Sequence, residues 1–381
     1  MPLLELLPSY FGGWRAWATA LAVVVLSLLL LRRPRGTAVV LATWPNLLGL
    51  YAQAILSASK PKTGKAKPSK AIQVSLARPV HFSPARLRGY LGLAGFADGT
   101  AGAVPLLYPV VEGFRLAIQC MVLPAFPFSV LGSVLGRARV LALRRVGAEE
   151  RLLYSCRVDP AFRATAKGDT ELDLVLEAHA AAPSAGGAPP GAGPGGSTLV
   201  WRCIFTNIII NPKRPRGGKQ EPAGPSAAAP AAPASPKVVA TWQLGMDTGR
   251  RYGLLNGDLN PIHLYPATSA LFGFKRPIAH ALYLTGRAEA SLRSAGLELR
   301  YPCVLSAEFK RPTLLPARLH CAWQAVDAPG ALDPAADPAA ALASPAGAGF
   351  AVLTEDLAKP VLVGAVCCHA DAVREALAGK A

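Results

Sequence analysis

Six runs rich in β-branched and aromatic residues, at 199–210, 238–244, 304–309, 319–326, 350–354 and 361–369, read as strands. Among the last five of them falls a single long helical stretch, 278–295. Its apolar positions include Ala279, Leu282, Leu284, Ala288 and Leu292, with Pro277 just before it and Gly296 where a C-terminal cap belongs. The architecture this implies is one buried helix wrapped by an antiparallel sheet, an α+β arrangement.

A chain of 381 residues is longer than one domain of about 100 to 200 residues, so two similar units plus tails are expected. Glycine and proline cluster with alanine at 180–196, 221–236 and 328–348. Such stretches bury too little apolar surface to offset the entropy of ordering them and read as linkers or loop insertions. The middle one marks the domain boundary. The expected division is a first unit at 72–216, a linker at 217–236 and a second unit at 237–376, preceded by an N-terminal region at 1–36 and an arm with a Lys-rich linker at 37–71.

The run 16–31 is apolar apart from Thr19 and Ser27, and Arg15, Arg32, Arg33 and Arg35 flank it. Since a span needs roughly 17 to 25 residues, it crosses a membrane only with Trp14 and Trp17 at one interface and arginines snorkelling at the other. No small-residue cleavage site separates it from Arg32, so a retained anchor is expected in preference to a signal peptide, with the remainder facing the cytosol. The segment 38–57 is also apolar, is interrupted by Pro45-Asn46, and is followed by Lys60, Lys62, Lys65, Lys67 and Lys70. It reads either as an interfacial segment held to anionic lipid or as a packed arm followed by a solvated linker.

A formal charge of +17 attracts anions. No helix-turn-helix spacing, zinc-finger pattern or aromatic RNP-like strand accompanies it, which argues against nucleic acid and leaves anionic lipid and phosphate-bearing carriers as partners. The seven cysteines are scattered, with only Cys367 and Cys368 adjacent, so buried thiols are expected in preference to a zinc site or a disulfide scaffold.

Chemistry concentrates at 252–283. Asn256-Gly257-Asp258 is a turn signal, and Asn260 with Pro261 fits the cap and first position of a short helix that carries His263 in its opening turn. Asp258 and His263 then face one point, where a carboxylate and an imidazole can hold one water and divide proton removal from proton delivery. Taken singly, each has a bland reading: a turn carboxylate and a capping histidine. Further on, Pro277 and Ile278 precede the long helix, whose free N–H groups around 279–281 attract developing negative charge, such as that of a thioester enolate. His280 sits at the same helix start and reads equally well as a structural residue. Lys275, Arg276, Lys310 and Arg311 lie beside the expected mouth, either to meet phosphates or simply as solvated cations.

The string Asn256-Gly257-Asp258-x-Asn260-Pro261-x-His263, followed by Gly273-Phe274 and Pro277-Ile278-Ala279-His280, resembles the signature of MaoC-like hydratases. Weaker similarity extends to Pro105-Leu106-Leu107-Tyr108-Pro109-Val110-Val111 and to Phe126-Pro127-Phe128-Ser129-Val130-Leu131-Gly132, which resemble the first half of two-domain members. The resemblance implies a double hot-dog fold whose N-terminal half is degenerate. It implies (R)-specific hydration of trans-2-enoyl thioesters of coenzyme A or acyl carrier protein, or the reverse dehydration, in fatty-acid metabolism, without metal or redox cofactor. It assigns Asp258 and His263 as the catalytic pair and Asn260 and Gly257 as supporting residues. The backbone N–H of Ala281 falls to the thioester carbonyl, with His280 beside it and Phe274, Lys275 and Arg276 on the substrate side. The family has Gly where this chain has Ala281, and the added methyl narrows the thioester's approach. The first half carries no such motif and is expected to house the acyl chain where looser chain replaces its central helix. Phe114, Leu116, Ile118, Met121, Val122, Leu123, Phe126 and Phe128 would line that room or be ordinary core. A homodimer is compatible with this reading. The alternative function is a membrane-tethered acyl-thioester binding or scaffold protein with little or no catalysis; thioesterase activity has no support in the motif.

Overall fold

The computed structural model describes residues 36–61, 71–96, 102–131, 133–166, 168–180, 197–211, 237–325, 348–367 and 370–378. The first half contains strands Ala38–Leu41 (β1), Ile72–Leu76 (β2), Val80–His81 (β3), Ser133–Ala142 (β4), Arg151–Val158 (β5), Arg163–Ala164 (β6), Thr170–Ala180 (β7) and Thr198–Ile209 (β8). Its helices are Leu47–Leu56 (α1), Pro84–Ala94 (α2) and Tyr108–Val122 (α3). The second half contains strands Lys237–Leu244 (β9), Cys303–Phe309 (β10), Ala317–Ala325 (β11), Ala348–Thr354 (β12) and Pro360–Cys367 (β13). Its helices are Thr248–Asn256 (α4), Pro266–Ala270 (α5), Ala281–Ser294 (α6) and Ala370–Leu377 (α7). The six strands read from the sequence all appear, with ends displaced by no more than two residues.

The strands form one sheet in the order β1-β2-β5-β7-β8-β4-β10-β13-β12-β11-β9, with β3 added to β5 and β6 to β7. Its pairings are antiparallel except β1 with β2. The two halves are joined through β4 and β10, in register from Ala142 opposite Cys303 to Arg137 opposite Glu308. Each half wraps one long helix: α3 packs on β2, β5 and β7, and α6 on β9, β11 and β12. One apolar core runs through both halves, from Ile72 and Val74 to Leu362 and Val366.

The first half keeps its central helix, which corrects the expectation of looser chain there. Pro109 suits the opening turn of α3, and the segment buries residues on every side because α1 and α4 cover the face turned away from the sheet. That half is degenerate only in lacking the Asp–His motif. Of the residues expected to line an acyl room, Leu116, Val122, Leu123, Phe126 and Phe128 are fully buried core instead.

The start of α3 is tied to the second half by a buried carboxylate. Glu289 on α6 accepts the N–H groups of Leu106 (2.9 Å) and Leu107 (3.3 Å), two donors just before the helix. Arg293 lies 3.4 Å from the same carboxylate, and Trp201 Nε1 donates to the Leu106 carbonyl at 2.9 Å.

Helix α6 is shorter at its N-terminus than its apolar pattern suggested. Ala279 N–H donates to the Thr313 carbonyl at 2.9 Å and Ile278 bridges to Leu314, so 278–280 are drawn into extended backbone and His280 becomes the cap residue. At the other end Gly296 takes φ +103° and Leu297 N–H donates to the Leu292 carbonyl at 2.9 Å, the cap expected of that glycine.

Of the two readings of the arm, the packed one holds for its described part: Leu50 and Ala54 of α1 bury against Ile118 and Val122 of α3. The anchor candidate at 16–31 and most of the lysine run lie outside the described residues, as do the three low-complexity stretches almost entirely. Among the described residues no helix is long and apolar enough to cross a membrane. Six of the seven cysteines are described, and all six are buried free thiols.

Glu289→Ala leaves two buried N–H donors and the Arg293 guanidinium without their acceptor, so unfolding in urea should show a loss of about 3 kcal/mol. Glu289→Gln, which keeps one acceptor oxygen, should lose less.

Candidate active site

The loop after α4 lies back across that helix. A Cβ on Gly253 would stand 2.6 Å from the Asp258 carbonyl oxygen, so only a glycine lets the loop approach so closely. Gly257 ends α4 at φ +83°, a conformation costly for any other residue, and a side chain there would also meet Leu47 and Arg115. Asn256 Oδ1 accepts the Asp258 N–H at 2.8 Å, and the Asn260 N–H donates to Asp258 Oδ1 at 3.2 Å. Asn260 caps the 3₁₀ turn Pro261–His263 through its side chain, accepting from Ile262 N–H at 3.4 Å. Turn, cap and short helix thus form as the local sequence predicts.

His263 is buried, and its Nδ1–H donates to the Ile278 carbonyl at 2.8 Å, which leaves the Nε2 lone pair facing Asp258 Oδ2 at 4.0 Å. That separation is too long for a direct hydrogen bond and suits one water shared by the pair. His280 stacks on His263 with ring centroids 3.6 Å apart and 23° between planes. Its Nε2–H donates to the Asp258 backbone carbonyl at 3.0 Å and lies 3.6 Å from Oδ2. Tyr252 packs on the outer side of His280 at 5.0 Å.

Burial pushes the pair in opposite directions. Desolvation raises the Asp258 carboxyl above its ordinary range, against the opposing pulls of His263 and the Asn260 N–H. Desolvation likewise holds His263 below the usual histidine value, although Asp258 and the bond to Ile278 favour its cation. His280 is held lower still, first by burial and then by the facing His263, because two stacked imidazoles cannot both carry charge here. Burial therefore disfavours the charged form of all three groups.

Asp258, His263 and His280 bring one ligand atom each to within 4.8 Å of one another, the geometry of a candidate cation site among the described residues. His280 already spends its Nε2–H on the Asp258 carbonyl, whereas His263, with Nδ1 bonded to Ile278, keeps its Nε2 lone pair free beside the Asp258 carboxyl.

The cluster opens on a cavity of about 410 Å³. Ala281, first residue of α6, lines it next to Asp258 and His263, so the unpartnered N–H groups of the helix start face the same space. Phe274, Lys310 and Arg311 line it as well, whereas Lys275 and Arg276 are exposed and lie outside its lining. Lys310 is ion-paired to Glu308 at 2.6 Å. Away from the cluster the wall belongs to the first half: Phe114, Ile118, Met121, Leu174, Phe205 and Ile208. Three of the eight residues named for an acyl room are therefore placed in it. The sequence reading missed Tyr51 of α1, which lines the cavity and touches the loop carrying Asp258, and no motif around it could have found it. It also missed Asn256 as the acceptor for Asp258 N–H, although the turn signal there was legible.

Residues 228–330 match the family model of the MaoC like domain. Over 236 residues the chain is 25% identical to 3-hydroxyacyl-thioester dehydratase X of Mycobacterium tuberculosis, covering 61% of this chain and 74% of that protein. The crystal structure of HtdX of Mycobacterium tuberculosis has TM-score 0.56 at 20% identity, covering 78% of this chain and 99% of that one. A MaoC-like dehydratase from Phytophthora capsici has TM-score 0.55 at 17% identity, covering 80% and 97%. These structures share the fold.

Asp258→Asn should stabilise the fold at neutral pH. The folded carboxyl titrates above its unfolded value of 3.8, so its favourable contribution exists below that pH and turns into a cost as pH rises through the folded value. Thermal denaturation should show a higher Tm for the variant at pH 7, and the difference should close as pH falls towards 3.8. Residues 228–330 thus match the model of a MaoC like domain, and the described fold is similar to those of HtdX and of the Phytophthora capsici MaoC-like dehydratase.

Proposed function

We propose that this protein is a hydro-lyase that interconverts trans-2-enoyl and (R)-3-hydroxyacyl thioesters. The observation that carries the reading is the pairing of Asp258 with His263, 4.0 Å apart, beside the start of α6 on the wall of one cavity. The similarity to a 3-hydroxyacyl-thioester dehydratase supports the same class of substrate.

In the hydration direction the thioester carbonyl rests against the Ala281 N–H at the positive end of α6. His263 Nε2 takes a proton from the water it shares with Asp258, and the oxygen adds to the β-carbon. The displaced π electrons move onto the thioester oxygen, and the Asp258 carboxyl delivers its proton to the α-carbon on the same face. The imidazolium then returns its proton to the carboxylate, which resets both groups. Burial moves Asp258 towards its protonated form and His263 towards its neutral form, the directions this sequence needs. The apolar wall given by Phe114, Ile118, Met121 and Leu174 suits the hydrocarbon tail, and Lys310 and Arg311 suit the anionic carrier, coenzyme A or acyl carrier protein.

The test is loss of enoyl absorbance when the full chain meets short- and long-chain trans-2-enoyl thioesters of both carriers. Asp258→Asn and His263→Ala should each lower kcat by about 100-fold or more, the scale of a lost general acid or base, and the product should be (R). Because burial lowers the His263 value, kcat/KM of the wild type should persist as pH falls through 6.5 and decline only below it. Thioester binding with no turnover on either carrier would instead favour an acyl-thioester binding protein.

A further inference from the structure

Two bonds to the loop that carries Asp258 come from the arm helix at the start of the first half, more than 200 positions earlier in the chain. Tyr51 stands in the middle of α1, and its O–H donates to the Gly257 carbonyl at 3.0 Å. The same oxygen accepts the N–H of Leu259. One hydroxyl therefore grips the residue before Asp258 and the residue after it. The remaining backbone groups of Asp258 are used as well, its N–H by Asn256 and its carbonyl by His280.

From this geometry we infer that Tyr51 is a positioning residue for Asp258, and that the arm helix is a working part of the active site. The phenol is suited to the task because burial, and secondly the nearby Asp258 carboxylate, raise its value far above neutrality, so it stays an O–H donor at every working pH. Helix α1 has a firm base from which to act. Leu50 and Ala54 seat it on Ile118 and Val122 of the central helix of the first half. Lys60, just past α1, donates to the Leu123 and Phe126 carbonyls at 2.8 and 2.7 Å. The first half thus contributes to catalysis without a catalytic residue of its own, by holding the helix that holds the loop. Because a 4.0 Å separation must be spanned by one water, small shifts of Asp258 break the relay.

This inference rests on the hydro-lyase reading, and Tyr51→Phe in the full chain tests it. Phenylalanine keeps the ring against the cavity and removes both loop bonds. The expected result is a fall in kcat of about 10- to 100-fold, with KM and chain-length preference within about twofold and with Tm little changed. In an Asp258→Asn background the same substitution should cost nothing further, since a mislaid Asp258 and an absent one are equivalent. Full kcat in Tyr51→Phe, or a loss that adds in full to that of Asp258→Asn, would overturn the assignment. If the wild type turns over no enoyl thioester, the hydro-lyase reading falls by itself, and amide hydrogen exchange then decides on Tyr51. Exchange at Leu259 should be about tenfold faster in Tyr51→Phe; unchanged exchange would remove the positioning role.

Discussion

The pairing of β4 with β10 is the constraint on which the rest of the molecule depends. Six residue pairs, from Ala142 opposite Cys303 to Arg137 opposite Glu308, fuse two curled sheets into one. Both strands continue past this register into the cavity wall, β4 through Ser133 to Gly136 and β10 through Phe309. Closing the seam therefore places the apolar wall of one half opposite the polar cluster of the other. An edge-to-edge union also leaves no exposed strand edge at the middle of the protein, where unpaired N–H and C=O groups would carry a heavy desolvation cost.

Around this seam the two halves exchange polar support in both directions. The second half sends Glu289 to the start of α3. The first half, through α1, sends Tyr51 to the loop that carries Asp258. Glu289 meets N–H groups that lack a regular partner at a helix start, and Tyr51 braces a tight loop in which Leu259 N–H also donates to the Gly257 carbonyl at 3.2 Å. The first half carries no Asp–His motif of this kind, yet its surfaces form part of the cavity wall.

The cluster of Asp258, His263 and His280 works against stability. Asp258, His263 and His280 are packed together where burial disfavours every charged form, and the cost is limited by backbone partners at Ile278, Asn260 and the Asp258 carbonyl itself. Desolvation is the same force that shifts the Asp258 carboxyl up and the His263 imidazole down. Chemistry and instability thus have one origin, as is common where a site is tuned by its surroundings.

Local features were legible in the sequence because their partners are near neighbours along the chain. The turn at Gly257, the cap at Asn260, the short helix bearing His263 and the Gly296 cap each close hydrogen bonds within a few residues, so residue identity alone specifies them. Strand positions followed from composition, since β-branched runs have few other uses. The start of α6 was misjudged because Thr313 and Leu314, some 35 residues away, capture the backbone of 278–279. Lys275, Arg276, Lys310 and Arg311 were all expected at the mouth, but the cavity wall takes only Lys310 and Arg311. The sequence by itself determined the turn, cap and short helix that bring Asp258 and His263 towards one point. Tertiary structure decided how strongly Asp258 and His263 are desolvated, how large the cavity beside them is, and that Tyr51 and Glu289 reach across halves. Burial and sheet register are sums over distant contacts, and no stretch of neighbouring residues encodes them.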